Sequence, residues 1–209
     1  MTRPTTDRPA RRTTNRRGEG ERLRGELVEA ASRLLERLDG EEALSLRAVT
    51  REAGVAPQSF YLHFPDKQAL MLAVYEARFA ELTAQLQATL AELDDSAPAT
   101  ERIGAIARAY CRYGLAHPGQ YRVLFGTTGT TDWDPETMPG MAAFQPFRDE
   151  VARSVPSGAD AIAVCLWAFL HGLVTLRVSR PSFPWPPVDD LIARTVAAHV
   201  GGEVTDRRA

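Results

Sequence analysis

The sequence predicts an all-α protein in which an N-terminal three-helix domain, containing a helix-turn-helix, precedes a C-terminal helical bundle. Three observations predict this fold. Apolar residues recur at helical spacing over most of the chain, and no segment has the alternation of a convincing strand. In addition, a tight turn separates two short helical patterns at about residues 45–64. We therefore divide the chain into a basic arm (1–20), the helix-turn-helix domain (21–66) and the bundle (67–203).

The composition is typical of a soluble globular protein, with 44% hydrophobic and 25% charged residues. The net charge is −2, so the whole molecule is not a polycation. Residues 1–24, however, hold eight Arg against three acidic residues. Such an arm can follow nucleic-acid phosphates, but over its first half a solvated, disordered tail is the favoured interpretation.

The elements follow in order along the chain. A first helix is predicted at about 22–38, ended by Asp39-Gly40, and Asp66 is expected to cap a long helix that runs to about residue 93. The Gly/Thr/Asp/Pro-rich stretch 126–140 is predicted to be a mobile loop. The remaining helices are expected within 99–125 (two helices, divided near 117–119) and at about 140–154, 158–178 and 188–200.

The central segment has the residues that a helix-turn-helix needs. The hydroxyl of Ser45 can cap the first of its helices, and Gly54 can adopt a left-handed conformation in the turn. Pro57 suits the first turn of the second helix. Phe60 and Phe64, four residues apart, are expected to point into the core. This leaves an outward-facing set consisting of Gln58, Ser59, Tyr61, Leu62 and His63.

The same segment resembles the DNA-binding domain of the TetR family of bacterial repressors. The resemblance covers about residues 22–80 and lies in Leu46-Arg47-x-Val49, Ala53-Gly54-Val55, Phe60-Tyr61-x-His63-Phe64 and Lys67. Thr50 departs from the family, which usually carries Ala there, so the packing between the two helices is expected to differ slightly. The resemblance implies a dimer that binds double-stranded DNA at a near-palindromic operator.

The side chains support the contacts that this resemblance implies. Gln58 and Ser59 can reach base edges, whereas Arg47 suits a phosphate contact. Tyr61 can reach a phosphate or a thymine methyl group. For His63, a phosphate contact and a partly buried core position are nearly equal alternatives. The predicted DNA-binding residues are Ser45, Arg47, Pro57, Gln58, Ser59, Tyr61, His63 and Lys67.

The C-terminal part has a second resemblance, because Trp167-x-x-x-His171-Gly172 is similar to a Trp-x-x-x-His-Gly motif found in one group of TetR-type ligand-binding domains. It implies a small-molecule effector and a homodimer. We expect the dimer to form through 158–178 and the apolar stripe Val188, Leu191, Ile192, Val196 and Val200. The candidate ligand-lining residues are Tyr110, Tyr113, Phe125, Phe144, Trp167 and His171, together with Trp133.

Other classes of protein are disfavoured. The chain contains none of the common nucleotide-binding, zinc-protease or serine-hydrolase motifs, so we predict no enzymatic activity, no cofactor and no metal site. Cys111 and Cys165 are predicted to be buried, reduced thiols of a cytoplasmic protein. The apolar stretch 161–178 suits a buried helix better than a membrane span. The favoured function is a repressor released by a small apolar ligand. The alternatives are an activator, or a helical ligand-binding or enzymatic protein with a vestigial DNA-binding module.

Overall fold

The computed structural model describes residues 19–38, 40–125, 140–155 and 157–200, and these ranges contain nine α-helices and no β-strand. The basic arm up to residue 18, Asp39 and most of the predicted loop (126–139) lie outside the described residues. The helices are α1 (Glu19–Arg37), α2 (Leu46–Glu52), α3 (Pro57–Phe60), α4 (Lys67–Ala91), α5 (Ala99–Ala116), α6 (Pro118–Phe125), α7 (Met141–Ser154), α8 (Ala159–Ser179) and α9 (Val188–Val200).

The prediction of an all-α fold is confirmed, and each observed helix overlaps a predicted one. One short element was not anticipated, a 3₁₀ turn at Glu41–Ala43. This turn is fastened to α4 at two points. The backbone carbonyl of Glu41 accepts a hydrogen bond from Lys67 Nζ at 2.7 Å, and its carboxylate accepts one from the Tyr75 hydroxyl at 2.8 Å. The connection between α1 and α2 is thereby held against the start of α4.

The helices enclose two hydrophobic cores that share α4. The first half of α4 packs with α1, α2 and α3 in the N-terminal core, whose buried members include Leu27, Leu35, Val49, Phe60, Phe64, Leu70 and Val74. The second half packs in the C-terminal core with Ile103, Tyr110, Phe147, Leu170 and Ile192. The N-terminal core therefore continues along α4 past residue 66, where the sequence suggested a domain limit.

Helix α6 is the second element common to both cores. Tyr121 and Phe125 pack in the C-terminal core, whereas Val123 is buried in the N-terminal core. The beginning of α6 lies directly against α1. There the carboxylate of Glu36 accepts hydrogen bonds from the backbone N–H groups of Gly119 at 3.2 Å and Gln120 at 3.3 Å. These contacts fix α6 to the N-terminal domain.

The outer face of α8 corrects two expectations. Cys111 is buried as predicted, but Cys165 is exposed on this face. The predicted buried helix packs only one side into the core, so Val164 and Leu176 remain 48% and 51% exposed. The physical reason is that α8 is apolar on all sides, and a single subunit covers only one of them. By length and composition, α8 could cross a membrane, and it is the one described helix of that kind.

The apolar stripe of α9 also lies differently from the expectation. Ile192 and Val196 are buried in the C-terminal core, and Val188, Leu191 and Val200 pack against it, so the protein's own core covers the stripe. The exposed side of α9 consists instead of small and charged residues, among them Ala193, Ala197 and Ala198. A dimer built on this helix would use that alanine face.

We predict that Gly119→Ala destabilises the protein by about 1–3 kcal/mol, because the new methyl group has no room. A Cβ atom at this position would lie 2.6 Å from both the Cα atom of Glu36 and the carbonyl oxygen of Leu35. Both are backbone atoms and cannot rotate away. The free energy of unfolding in urea measures the loss.

Gly25→Ala in α1 is the matched control. No atom lies within 4 Å of a Cβ built at Gly25. Alanine favours a helix over glycine by up to about 1 kcal/mol, so this variant should be as stable as the wild type or more stable. Equal stability of the two alanine variants would contradict the tight packing of α6 on α1.

Candidate DNA-binding surface and aromatic core

The turn of the helix-turn-helix has the predicted local structure. The Ser45 hydroxyl accepts a hydrogen bond from the backbone N–H of Ala48 at 3.2 Å and so caps α2. Gly54 has φ +68°, in the left-handed region. The backbone N–H of Val55 donates a hydrogen bond to the carbonyl of Thr50, and the N–H of Gly54 donates one to the carbonyl of Arg51. These two bonds are the Schellman pattern of a helix end. The sequence therefore fixes the angle between α2 and α3 locally.

Thr50, the departure from the family pattern, fits without an unpaired group. Its side chain is buried, and the hydroxyl donates to the carbonyl oxygen of Arg47 at 3.2 Å. The extra polar group is satisfied within α2 itself. The neighbouring Val49 is fully buried in the N-terminal core, as it would be with the usual Ala at position 50.

Helix α3 presents one face to solvent and the other to the core. Phe60 and Phe64 are buried, as predicted. Pro57 and Gln58 are exposed, Ser59 is half-buried, and Tyr61 is 61% exposed. The Tyr61 ring packs edge-on against Phe60, with the ring centroids 5.4 Å apart. Ser45 and Arg47 at the beginning of α2 are exposed as well, and these exposed positions together make up the candidate DNA-binding surface.

His63 and Lys67 are held closer to the protein than the sequence suggested. His63 is half-buried, and its Nε2 atom is buried without a hydrogen-bond partner among the described residues. The ammonium group of Lys67 donates to the carbonyl of Glu41. An ammonium group has three donors, so Lys67 can still donate to a phosphate. DNA contact by either residue stays a prediction.

Other basic side chains near this surface have partners within the protein. Arg33 and Arg37 of α1 both donate to the carboxylate of Glu52, each at 3.0 Å, and these hydrogen bonds lower the pKa of Glu52 below its ordinary value. The guanidinium of Arg24 lies 5.1 Å from the centre of the Phe64 ring. Arg47, by contrast, is exposed, which favours it as a phosphate contact.

The C-terminal domain gathers five of the predicted ligand-lining residues into one aromatic cluster. The rings of Phe125 and Trp167 lie 6.4 Å apart, those of Phe125 and His171 lie 5.0 Å apart, and Phe144 and Trp167 are 6.2 Å apart. Tyr110 joins them through Phe125 at 6.4 Å. The cluster therefore consists of side chains from α5, α6, α7 and α8.

Tyr121 is a member of this cluster that sequence reasoning missed. Its ring lies 4.6 Å from Phe125 and 5.6 Å from His171. Its hydroxyl joins two neighbours in a chain, with 2.8 Å to the Tyr110 hydroxyl and 2.8 Å to Nδ1 of His171. The signal was available, because Tyr121 and Phe125 are four residues apart and so share a face of α6.

Burial sets the ionisation of this hydrogen-bonded chain. It raises the pKa of Tyr110 and Tyr121 far above the ordinary value for a phenol, so both hydroxyls stay protonated. Burial also lowers the pKa of His171 below 6.5, which favours the neutral imidazole. The chain is therefore a set of neutral donors and acceptors inside an aromatic surrounding.

Tyr113 does not join the cluster. Its hydroxyl donates to the carbonyl of Arg78 in α4 at 3.3 Å, and its ring lies against His117 at 5.2 Å. Trp133 lies outside the described residues. A separate crevice, between α5, α7, α8 and α9, is too narrow for a water molecule and is lined by Ile103, Ala107, Phe147, Leu166, Phe169, Leu170, Ile192, Thr195 and Val196.

Two further features bear on possible chemistry, the Cys111 thiol and the potential metal ligands. Burial raises the pKa of the Cys111 thiol to about 12, which leaves it an unreactive thiol. In the part of the chain that the structure describes, no three His, Cys, Asp or Glu side chains lie close enough together to hold a metal ion.

The fold and the site together are those of a one-component regulator, in which one polypeptide carries both an N-terminal helix-turn-helix and a helical regulatory domain. Comparison with known families agrees. Residues 27–74 match the bacterial regulatory proteins of the tetR family, and residues 103–199 match a tetracyclin repressor-like C-terminal domain. The chain belongs to the TetR family of transcriptional regulators. Members of this family bind DNA and small-molecule effectors, dimerise, and are in general not enzymes.

Solved structures share this fold over most of the chain. A protein of unknown function from Rhodococcus sp. RHA1 is 30% identical, with a TM-score of 0.74 over 86% of this chain and 94% of that one. A tetR-family transcriptional regulator from Streptomyces coelicolor is 16% identical (TM-score 0.68; 86% and 79% covered). The regulator FadR from Bacillus subtilis, in complex with stearoyl-CoA, is 12% identical (TM-score 0.67; 86% and 98% covered).

We predict that the protein loses stability as the pH falls below about 6.5, and that His171 is one cause. The pKa of His171 is lowered in the folded state from its ordinary value of 6.5. The unfolded chain therefore takes up a proton at a higher pH than the native protein. The stabilisation is fully present above pH 6.5, the unfolded-state value, and is lost progressively as the pH falls from there through the lower folded-state pKa.

Chemical denaturation of the wild type and of His171→Gln, above and below pH 6.5, measures this contribution. Glutamine can hydrogen-bond to Tyr121 but does not titrate. The variant should therefore show a smaller loss of unfolding free energy on acidification. Identical pH dependence in both proteins would show that His171 makes no contribution.

Proposed function

We propose that the protein is a dimeric, sequence-specific repressor whose affinity for its operator falls when a small, mostly apolar molecule binds in the C-terminal domain. The single observation that carries the DNA-binding part is the outward face of α3. Gln58 and Tyr61 are exposed there, and Arg47 at the beginning of α2 is exposed too, while Phe60 and Phe64 are buried in the N-terminal core behind the helix. A rigid helix with polar side chains directed outward is what reading a major groove requires.

Dimerisation is supported by the uncovered apolar side of α8. Ala161, Val164, Ala168 and Leu176 are exposed on it at helical spacing. No atom lies within 4 Å of a Cβ built at Gly172, so the surface above this residue is open to another helix. Two copies of this face, together with the alanine face of α9, can bury each other around a two-fold axis. Such a dimer would read two symmetric half-sites, and a near-palindromic operator follows.

The aromatic cluster is the proposed ligand site. It provides large apolar surfaces from Phe125, Phe144 and Trp167 and a neutral hydrogen-bonded chain that ends at His171. Among the described residues of this domain, Arg102 and Glu150 form a buried, bidentate ion pair whose charges neutralise each other. A ligand that matches these properties is mostly apolar and uncharged, with a single hydrogen-bonding group.

Helices α4 and α6 are the proposed route from ligand to DNA. Tyr121 and Phe125 lie in the cluster, and Val123 between them is buried in the N-terminal core. Rings packed 4.6 to 6.4 Å apart have to move when a ligand enters. Movement of α6 would shift α1 and the start of α4, and so the distance between the two recognition helices of a dimer. A regulator with this function would act in the cytoplasm.

Selection of bound sequences from random duplex DNA tests the function. We predict a consensus with two-fold symmetry, because two-fold protein symmetry imposes it. Arg47→Ala should weaken binding to all sequences alike. The slope of the logarithm of the binding constant against the logarithm of the salt concentration should become shallower by about one unit for each phosphate that the variant no longer neutralises. Gln58→Ala should instead relax the preference at particular base pairs.

The two variants control for each other, since both side chains are exposed and neither is part of a core. A uniform loss of affinity in Gln58→Ala, with an unchanged consensus, would rule out base reading by Gln58. A selection that enriches no sequence would leave the alternative of a ligand-binding protein with a vestigial DNA-binding module.

Two further variants separate ligand binding from coupling. Trp167→Ala should lower ligand affinity and leave ligand-free operator binding nearly intact. Val123→Ala should retain ligand binding but weaken operator release, because it loosens the packing of α6 on the N-terminal core. The full coupling energy is expected at about 1–3 kcal/mol, which corresponds to roughly 5- to 150-fold in operator affinity.

A panel of hydrophobic metabolites and drugs supplies the ligand, first by thermal shift and then by operator release. Ligands that bind tightly but leave the wild type on its operator would contradict the coupling. Ligands that strengthen operator binding would identify the ligand-activated alternative.

A further inference from the structure

Leu62 is the most exposed large hydrophobic side chain in the described part of the chain, at 76%. It does not lie in a loose loop. The N–H of Phe64 still donates to the carbonyl of Phe60 at 3.0 Å, and that of His63 donates to the same carbonyl at 2.9 Å. Helix α3 ends at Phe60, but Tyr61 keeps right-handed helical dihedral angles and these bonds close one further turn. Leu62 therefore lies in a hydrogen-bonded turn that continues the direction of α3.

The direction of Leu62 follows from the two buried phenylalanines. Successive residues of a helix are about 100° apart, so the positions two before and two after Phe60 lie about 200° round from it. These positions are Gln58 and Leu62, and both are exposed. Because Phe60 and Phe64 point into the core, Gln58 and Leu62 share the outermost side of the helix as neighbours four residues apart.

The chemistry of leucine restricts what it can contribute there. The side chain has no hydrogen-bond donor or acceptor, so it gains nothing from phosphates or from the polar edges of bases. The apolar group that base pairs present in the major groove is the C5-methyl group of thymine. Contact with it removes apolar surface of both partners from water.

We propose that Leu62 is a specificity-determining residue that reads a thymine methyl group in each half-site, beside the base pair read by Gln58. The inference rests on the proposed DNA-binding function. Four residues of helix rise by about 6 Å, and base pairs are about 3.4 Å apart. The thymine therefore lies one or two base pairs from the pair contacted by Gln58.

This assignment moves the methyl contact from Tyr61, where the sequence had suggested it, to its neighbour. The Tyr61 ring packs against the side of Phe60. It is therefore directed to the flank of the helix, and its hydroxyl suits a phosphate oxygen. The outermost side of the helix then carries Gln58 and Leu62. The amide of Gln58 reads the hydrogen-bonding pattern of a base pair, and the side chain of Leu62 reads a thymine methyl group.

Deoxyuridine provides the test, since it differs from thymidine only by the missing C5-methyl group. In the selected operator, each thymine is replaced by deoxyuridine in turn, and the dissociation constant is measured for the wild type and Leu62→Ala. At one position in each half-site the replacement should weaken wild-type binding about fourfold, the value of one buried methyl group. Replacement in both half-sites should multiply to about 16-fold.

Leu62→Ala should bind the thymine and deoxyuridine operators equally, and at the strength of the wild type on deoxyuridine or weaker. Leu72→Ala is the matched control, because Leu72 is also an exposed leucine but lies on α4. It should keep the full methyl effect. An unchanged melting temperature of Leu62→Ala confirms that its fold is intact, as its exposure predicts.

Each other outcome overturns the inference in a distinct way. Wild-type binding that is indifferent to deoxyuridine at every position would show that no methyl group is read. A methyl effect of full size in Leu62→Ala would assign the contact to another residue, such as Tyr61. Both outcomes leave DNA binding itself intact, whereas a selection that enriches no sequence would refute the proposed function and this inference together.

Discussion

The sharing of α4 and α6 between two hydrophobic cores is the constraint on which the rest of the structure depends. The N-terminal domain has no complete core of its own without Leu70 and Val74 of α4, and Val123 of α6 is buried against it. The C-terminal core in turn contains Leu82 of α4 and Tyr121 of α6. A displacement of either helix therefore alters both cores at once. Because close-packed interiors tolerate few voids, such a displacement cannot be absorbed locally. The two cores are therefore mechanically linked through α4 and α6.

The two ends of α6 contact different parts of the protein, and its beginning packs against α1. Gly119 lets the two backbones approach closely, and the Glu36 carboxylate holds the first N–H groups of α6. The other end of α6 carries Phe125, which lies in the aromatic cluster. A single short helix is thus fixed at its beginning to the N-terminal domain and packs in the aromatic cluster at its end. Tyr121 of the same helix is hydrogen-bonded to Tyr110 and His171, so polar contacts as well as ring packing hold α6 in the C-terminal core.

Two sets of hydrogen-bonded polar side chains in the C-terminal domain differ in charge. Arg102 and Glu150 are buried together, and the guanidinium lowers the pKa of the Glu150 carboxyl, so both remain charged and join α5 to α7. Breaking such a pair leaves an uncompensated buried charge, which strongly destabilises a protein. The chain of Tyr110, Tyr121 and His171 is neutral instead. Exchanging a neutral hydrogen bond for one to a ligand costs far less, so this chain is the better candidate for a site that opens and closes.

The sequence by itself determined the local structure. The helices followed from apolar spacing, and the cap at Ser45 and the left-handed Gly54 followed from residue chemistry, because both depend on neighbours within a few positions. The outward direction of Gln58 and Tyr61 followed from helical periodicity in the same way. Contacts between distant segments were decided only by the tertiary structure. Tyr121 joined the aromatic cluster and Tyr113 left it, since the side of a buried helix that meets a given partner depends on how all the helices pack. Likewise, the hydrogen bond from Lys67 to the carbonyl of Glu41 and the exposure of Cys165 could not be predicted. Helical periodicity shows which residues share a face of a helix, but it does not show which face another segment covers.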